Sequence, residues 1–401
     1  MQHTRPADTY SPLYFLASVG AGGLSVTFFM YLMFWVPHPG KPVPVFEDIM
    51  AAFSTGTVGL KTGILVAVLG IAAMVFLNLK YLIWNLKTFS VFRKTEAYTK
   101  LKSSNGETTI LAMPLALAMS VNGLFIVGLV FVPGLWSIVE YLFPFAMAAF
   151  LAIGIMALIY IGDFLGRVLT KGGVFDVTAH NSFAQMLPAF ALAMTAVGFS
   201  APAAMSANTV VVGVSLVGST FFGIASIIYA VLALFTAFNS MLHYGTSKET
   251  APTLLIVIPL MTILGIMALR QDHGLHATFE VHGSAGETMI FLARLIAVQV
   301  LFGLLGLVML ARHGYWKSYV FGSDTSPGSY ALVCPGVALS VLLQFFINAG
   351  LVQAGVLTKY SVMYWVITAV AIAFQFAMVA LVLRLNRQHF GRPAVQAVPA
   401  E

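Results

Sequence analysis

Ten long apolar stretches succeed one another along this chain, and every second one, starting from the first, is free of Asp, Glu, Lys and Arg. They run over 12–37, 57–86, 108–132, 134–166, 183–206, 208–242, 252–269, 287–311, 328–354 and 360–384. About 20 apolar residues, each rising about 1.5 Å, cross a hydrocarbon core of roughly 30 Å, so each stretch reads as a transmembrane helix. With 59% hydrophobic and 8% charged residues, a soluble fold is excluded. A membrane β-barrel needs short alternating strands, and the sequence has none. The expected fold is an all-α polytopic membrane protein. Ten helices form five helical hairpins around a central pore in one transmembrane domain, 1–386, with a disordered cytoplasmic tail, 387–401.

Four of the five odd-numbered spans hold a proline at a matching place: Pro114, Pro188, Pro259 and Pro335, spaced 74, 71 and 76 residues apart; the sixth span is also charge-free but holds no proline. That spacing is the beat of a repeated hairpin, and repeats in a membrane point to a transport pathway. A proline inside a helix removes an N–H and clashes with the carbonyl four residues back, so these four are expected to kink their helices at one depth and shape a cavity.

The net charge of +6 is a topology signal. Lys87, Arg93, Lys94, Lys100, Lys102, Arg167, Lys171, Lys248, Arg312, Lys317, Arg384, Arg387 and Arg392 fall on one side, against Lys41, Lys61, Arg270 and Lys359 on the other. The positive-inside rule then puts both termini in the cytoplasm of a multi-pass inner (plasma) membrane protein. The single cysteine, Cys334, excludes an intramolecular disulfide framework.

The charge-free spans are also rich in small, weakly polar residues, which allow close helix approach or leave room for a lumen. An inner ring of odd spans inside an outer ring of even spans accounts for the contrast; tight packing of small-residue helices accounts for it equally. On the first reading the lumen is lined by Ser18, Gly22, Ser120, Thr195, Thr262, Cys334 and Ser340. Such a lining carries no titratable group, not even a histidine. Proton-coupled carriers generally need one in the pathway, so passive conduction is favoured over coupled pumping. Arg294 in the eighth span is expected to pair with Glu287 or to snorkel to the interface. His273, His276 and His282, with Asp272 and Glu280, are expected in a polar loop whose spacing fits no strong metal motif. Gly162 and Gly166 form a GxxxG helix-packing pattern. No nucleotide-binding or hydrolase signature is present, so no catalytic residue, cofactor or metal is assigned and the chain is not expected to be an enzyme.

Between the fourth and fifth spans the chain reads Gly172-Gly173-Val174-Phe175-Asp176, then His180, Ser182-Phe183 and Leu187-Pro188-Ala189. This resembles the tellurite-resistance/dicarboxylate transporter family, which includes the bacterial TehA proteins and the plant guard-cell slow anion channels. Tyr14-Phe15, Gly20 and Leu24-Ser25 are similar to the start of that family's first helix. The resemblance implies an anion channel or permease for small inorganic or organic anions, with five inner and five outer helices and a homotrimer with one pore per protomer. It also implies a phenylalanine plug in the ninth helix. Here Cys334 takes that place, so the gate is sought among Cys334, Phe199, Phe345 and Phe346. Two competing readings stand beside it. One is a secondary transporter, with or without proton coupling, of C4-dicarboxylates or sulfur and tellurium oxyanions. The other is a membrane-embedded metal-handling protein or enzyme using the histidines of the seventh loop.

Overall fold

The computed structural model describes residues 9–171, 175–179, 182–281 and 283–391. Among them the chain is helical with no strand, and ten helices are long and apolar enough to cross a membrane. The chain is an all-α polytopic membrane protein. In order its α-helices are α1 (Phe15–Trp35), α2 (Phe46–Thr55), α3 (Val58–Phe92), α4 (Glu96–Lys102), α5 (Ala112–Phe131), α6 (Val139–Lys171), α7 (Leu187–Met205), α8 (Thr209–Tyr244), α9 (Val257–Phe279), α10 (Ala285–Arg312), α11 (Val333–Phe345) and α12 (Val362–Phe390).

The helices form two concentric layers. α1, α5, α7, α9 and α11 pack in a closed ring, each against the next and α11 back against α1. The other five long helices lie outside, each against its own hairpin partner and a second inner helix. Burial separates the layers cleanly: 67–94% of each inner hydrophobic window is buried, against 17–39% of each outer one. Outer faces present bare apolar side chains such as Phe76, Phe145, Val217 and Leu301, as a lipid-facing surface must, since hydrocarbon rewards apolar contact as well as a protein core does.

Outer helices hold inner ones through side chains that reach backbone groups. Asn78 of α3 donates to the Ser18 carbonyl and hydroxyl, both at 2.9 Å, while Ser18 donates back to the Asn78 carbonyl at 2.9 Å. Gln299 of α10 donates to the Ile258 carbonyl at 2.8 Å and to Thr262 Oγ1 at 2.6 Å. In hydrocarbon no water competes, so each such bond fixes the rotation of one helix on another.

The prolines do not kink their helices midway. Each inner helix is entered through a 3-10 segment, at 12–14, 105–111, 183–186, 251–256 and 327–332. Pro114, Pro188, Pro259 and Pro335 each occupy the second or third position of the α-helix that follows. In a first turn the missing N–H costs little and the fixed φ favours helix initiation. The repeat is real, and it marks a 3-10 to α junction. The five 3-10 segments themselves close into a second ring at the end of the molecule that carries the basic loops.

Several boundaries differ from the sequence reading. Residues 46–55, between the first two expected spans, form α2, whose start is fixed by the Asp48 carboxylate accepting the Val45 N–H at 3.1 Å. α9 runs to Phe279, so the expected loop histidines His273 and His276 are helical, and His282 lies outside the described residues. α12 continues to Phe390, past the expected domain end at 386, because His389 and Phe390 dock onto Tyr14 and Tyr330. Of the expected tail, 392–401 lies outside the described residues. Gly162 and Gly166 face open space, so the GxxxG packs nothing within this chain. Gly134, at φ +71°, turns the tight junction into α6, and its N–H is held by Glu47 Oε1 at 2.7 Å.

Candidate functional site

A cavity of about 320 Å³ lies within the inner ring, lined by all five inner helices and by Phe143, Ala146 and Phe150 of α6. Each inner helix contributes one stripe at helical spacing. On α9 the stripe is Pro259, Thr262, Ile263, Ile266, Leu269, Arg270 and His273; on α11 it is Cys334, Val337, Ala338, Val341 and Phe345. Steps of three and four residues keep a stripe on one face of a 3.6-residue helix. From Pro259 to His273 the lumen spans about 20 Å at about 1.5 Å per residue. Pro42 and Val43, from the segment before α2, contribute to its wall. Towards the basic end the stripes lead one turn on to Leu16, Leu115, Leu187, Ile256 and Ala331, none of which lines the cavity, and the first four are buried. The lumen therefore stops where the α-helices give way to the 3-10 ring.

Of the expected lining residues, Thr262 and Cys334 line the cavity, as does Pro259. Ser18, Gly22, Ser120, Thr195 and Ser340 are buried elsewhere. Each sits one position off its stripe, and one residue turns a helix by about 100°. Three of their hydroxyls are already used. Ser18 binds Asn78, Ser120 donates to the Ala116 carbonyl at 2.8 Å, and Thr195 donates to the Ala191 carbonyl at 3.0 Å. A Cβ on Gly22 would meet Met119 and Asn78 across a helix seam. Pro114, Pro188 and Pro335 do not line the cavity. Among the gate candidates, Cys334 lies near the closed end of the lumen and Phe345 further along its wall. Phe199 instead stacks on Phe222 of α8, and Phe346 begins a π-helical turn beside Gly350. Of the family-like segment, Gly172, Gly173, Val174 and His180 lie outside the described residues. Phe175 is described at its edge and Pro188 opens α7.

The lining differs in kind from the expectation. Its walls are mostly large apolar side chains, and it contains titratable groups, Arg270 and His273, where none was expected. Arg270, one residue beyond the expected seventh span, is half-buried on the lumen stripe and donates from Nη1 to the Val197 carbonyl at 2.8 Å. Among the described residues no carboxylate forms an ion pair with it. His273 follows at i+3 on the same face, roughly 5–6 Å away between Cβ atoms.

Next to the carbonyl that anchors Arg270, α7 is interrupted. Pro202 has no N–H to give the Gly198 carbonyl. One residue on, the Ala203 N–H bonds Ser215 Oγ of α8 at 2.8 Å, and Ser215 in turn donates to the Phe199 carbonyl. A side chain has entered the backbone ladder, a recognised cause of local helix opening. Gly198, Ala201 and Pro202 at this opening face the lumen.

The two other polar lumen groups are spoken for. Thr262 donates to the Ala338 carbonyl at 3.0 Å and accepts from Gln299. Asn122 Nδ2 donates to the Ala118 carbonyl at 3.1 Å and to Met194 Sδ at 3.6 Å, which leaves its acceptor oxygen for the lumen. Arg294 is exposed on α10, and its expected partner Glu287 instead accepts the Ser284 N–H at 2.8 Å at the helix start. Among the described residues there is no cluster of three or more metal-ligating side chains. No protein-family model matches the chain, and no curated protein matches it either.

Proposed function

We propose that the chain moves anions across an inner (plasma) membrane through the axial lumen, with both termini in the cytoplasm. The observation that carries this reading is Arg270: a guanidinium facing the lumen that donates to the Val197 carbonyl and, among the described residues, forms no ion pair with a carboxylate. A lone cation in a low-dielectric cavity attracts an anion far more strongly than it would in water and repels cations. The Lys and Arg excess on the sealed end supports the orientation. The hairpin repeat and the two-ring packing support the likeness to the tellurite-resistance/dicarboxylate transporter family as the working assignment, and with it a homotrimer; Cys334, where that family places a phenylalanine plug, counts against it.

A second reading, a secondary transporter, is favoured by one feature. The lumen stops at the 3-10 ring and carries a titratable histidine, as expected of one state of an alternating-access carrier. Purified protein in liposomes, loaded with one anion and diluted into another, tests both. Passive, electrogenic anion flux that falls about tenfold or more in Arg270→Gln supports the channel reading. Saturable one-for-one exchange, or uptake driven by a pH gradient, supports the carrier. Cation flux equal to anion flux, unchanged by the substitution, overturns both.

A further inference from the structure

The lumen combines one available cation, a sheath of large apolar side chains and almost no other free donor. Phe29, Phe125, Phe150, Met119, Met194 and Val341 form walls around a volume at the low end of small-molecule pockets, which commonly run about 300–1,000 Å³. A strongly hydrated inorganic anion entering this space gives up several water contacts and finds one guanidinium and the neighbouring His273 imidazole in exchange. The Thr262 hydroxyl and both Asn122 N–H groups are engaged, and the free Asn122 oxygen repels negative charge. Flipping that amide would set its oxygen against the Ala118 carbonyl, so the orientation is fixed by its surroundings. A dicarboxylate fares no better along the axis. Arg270 and His273 sit together, so a carboxylate directed towards Pro259 and Cys334 meets no donor. Desolvating a charge without a partner is prohibitive, whereas desolvating an apolar body against Phe and Met is favourable.

We propose that the lumen is built for an organic monoanion with an apolar body, its sulfonate or carboxylate head on Arg270 and its body in the Phe- and Met-lined wall below. This deepens the anion reading and rests on it. Methionine thioethers suit such a body, since their flexible, polarisable side chains adapt to flat rings and short aliphatic chains alike.

The test is equilibrium binding to the full chain in nanodiscs, by calorimetry, with benzenesulfonate, malate and chloride as probes. Benzenesulfonate stays ionised at neutral pH and partitions poorly into lipid. Empty nanodiscs supply the blank. Saturable benzenesulfonate binding at least tenfold tighter than malate or chloride is the expected result. Arg270→Gln should abolish it and Arg270→Lys should weaken it. A second variant, Ile266→Ser, makes the wall polar one turn from Arg270 without touching the charge, and should weaken benzenesulfonate relative to chloride. Equal or tighter malate or chloride binding overturns the proposal. So does benzenesulfonate binding indifferent to Arg270→Gln in correctly folded, monodisperse protein. If inorganic anion flux through the wild-type protein persists while benzenesulfonate neither binds nor competes, this inference fails and the anion reading stands. If no anion of any kind binds or crosses, the anion reading itself fails.

Discussion

Arg270 shows how much one position can decide. A guanidinium on a lumen stripe is tolerated here because the Val197 carbonyl of α7 holds it and the cavity leaves room around it. Reversing its charge should do more than neutralising it. Arg270→Glu is expected to abolish anion flux and admit cations, read as a shift of reversal potential under a salt gradient in a planar bilayer. Asn78 illustrates the opposite case, a buried polar group with a structural task. Asn78→Leu would strip the Ser18 carbonyl and hydroxyl of their donor, and a loss of about 1–2 kcal/mol is expected from thermal unfolding of the full chain. Anion selectivity should not change, because neither residue reaches the lumen.

Among the elements, the collar prolines and the ion-pair group behind them behave differently. A first-turn proline replaces no helical bond, so Pro188→Ala is expected to cost about 1 kcal/mol or less, well below the roughly 3 kcal/mol of a mid-helix proline effect. A large loss on unfolding would restore the kink reading. Glu107, buried at 2% exposure in the 3-10 segment before α5, binds Arg167 of α6 at 2.6 Å and Lys102 of α4 at 3.5 Å. It ties three elements at the basic end. Glu107→Gln leaves two cations facing a neutral amide and is expected to cost about 2–4 kcal/mol. Burial pulls the Lys102 ammonium down, but Glu107, Tyr98 and Asp163 together lift it above the usual lysine value. A raised folded pKa means that its contribution is complete below the ordinary lysine pKa of 10.5 and is lost as pH rises through the folded value. Melting temperatures at about pH 8 and about pH 11 should converge more closely in Lys102→Met than in the wild type.

For the whole molecule, the closed inner ring and its sealed end set the behaviour. One turn beyond the lumen, Leu115 and Leu187 are buried where the α-helices meet the 3-10 ring. Shortening both, as Leu115→Ala with Leu187→Ala, is expected to raise anion conductance tenfold or more if this ring is the gate. Unchanged conductance in well-folded protein would move the gate elsewhere. The bare apolar outer faces leave room for lipid or for further copies, and a homotrimer is expected as about three chain masses by light scattering after subtraction of detergent.

Hydropathy was enough to place ten helices, because a membrane imposes length and composition on each segment separately; the uneven distribution of charge among the spans raised two layers as one of two readings, and the packing of the inner ring decided between them. The proline beat located the repeat junctions, although the 3-10 segments that make them junctions and not kinks were not visible in it. The lumen was a different matter. Ser18, Ser120 and Thr195 look like pore residues in the sequence, yet their groups are satisfied within and between helices. The stripes that do face the axis look like ordinary core. Arg270 stood one residue outside a span drawn by hydropathy and read as a loop charge. Local composition fixes whether a helix lies in the membrane and how long it is. The rotation of each helix about its own axis depends on bonds such as Asn78 to Ser18 and Gln299 to Thr262, made between residues far apart in the chain, so only the assembled ring decides what faces the lumen.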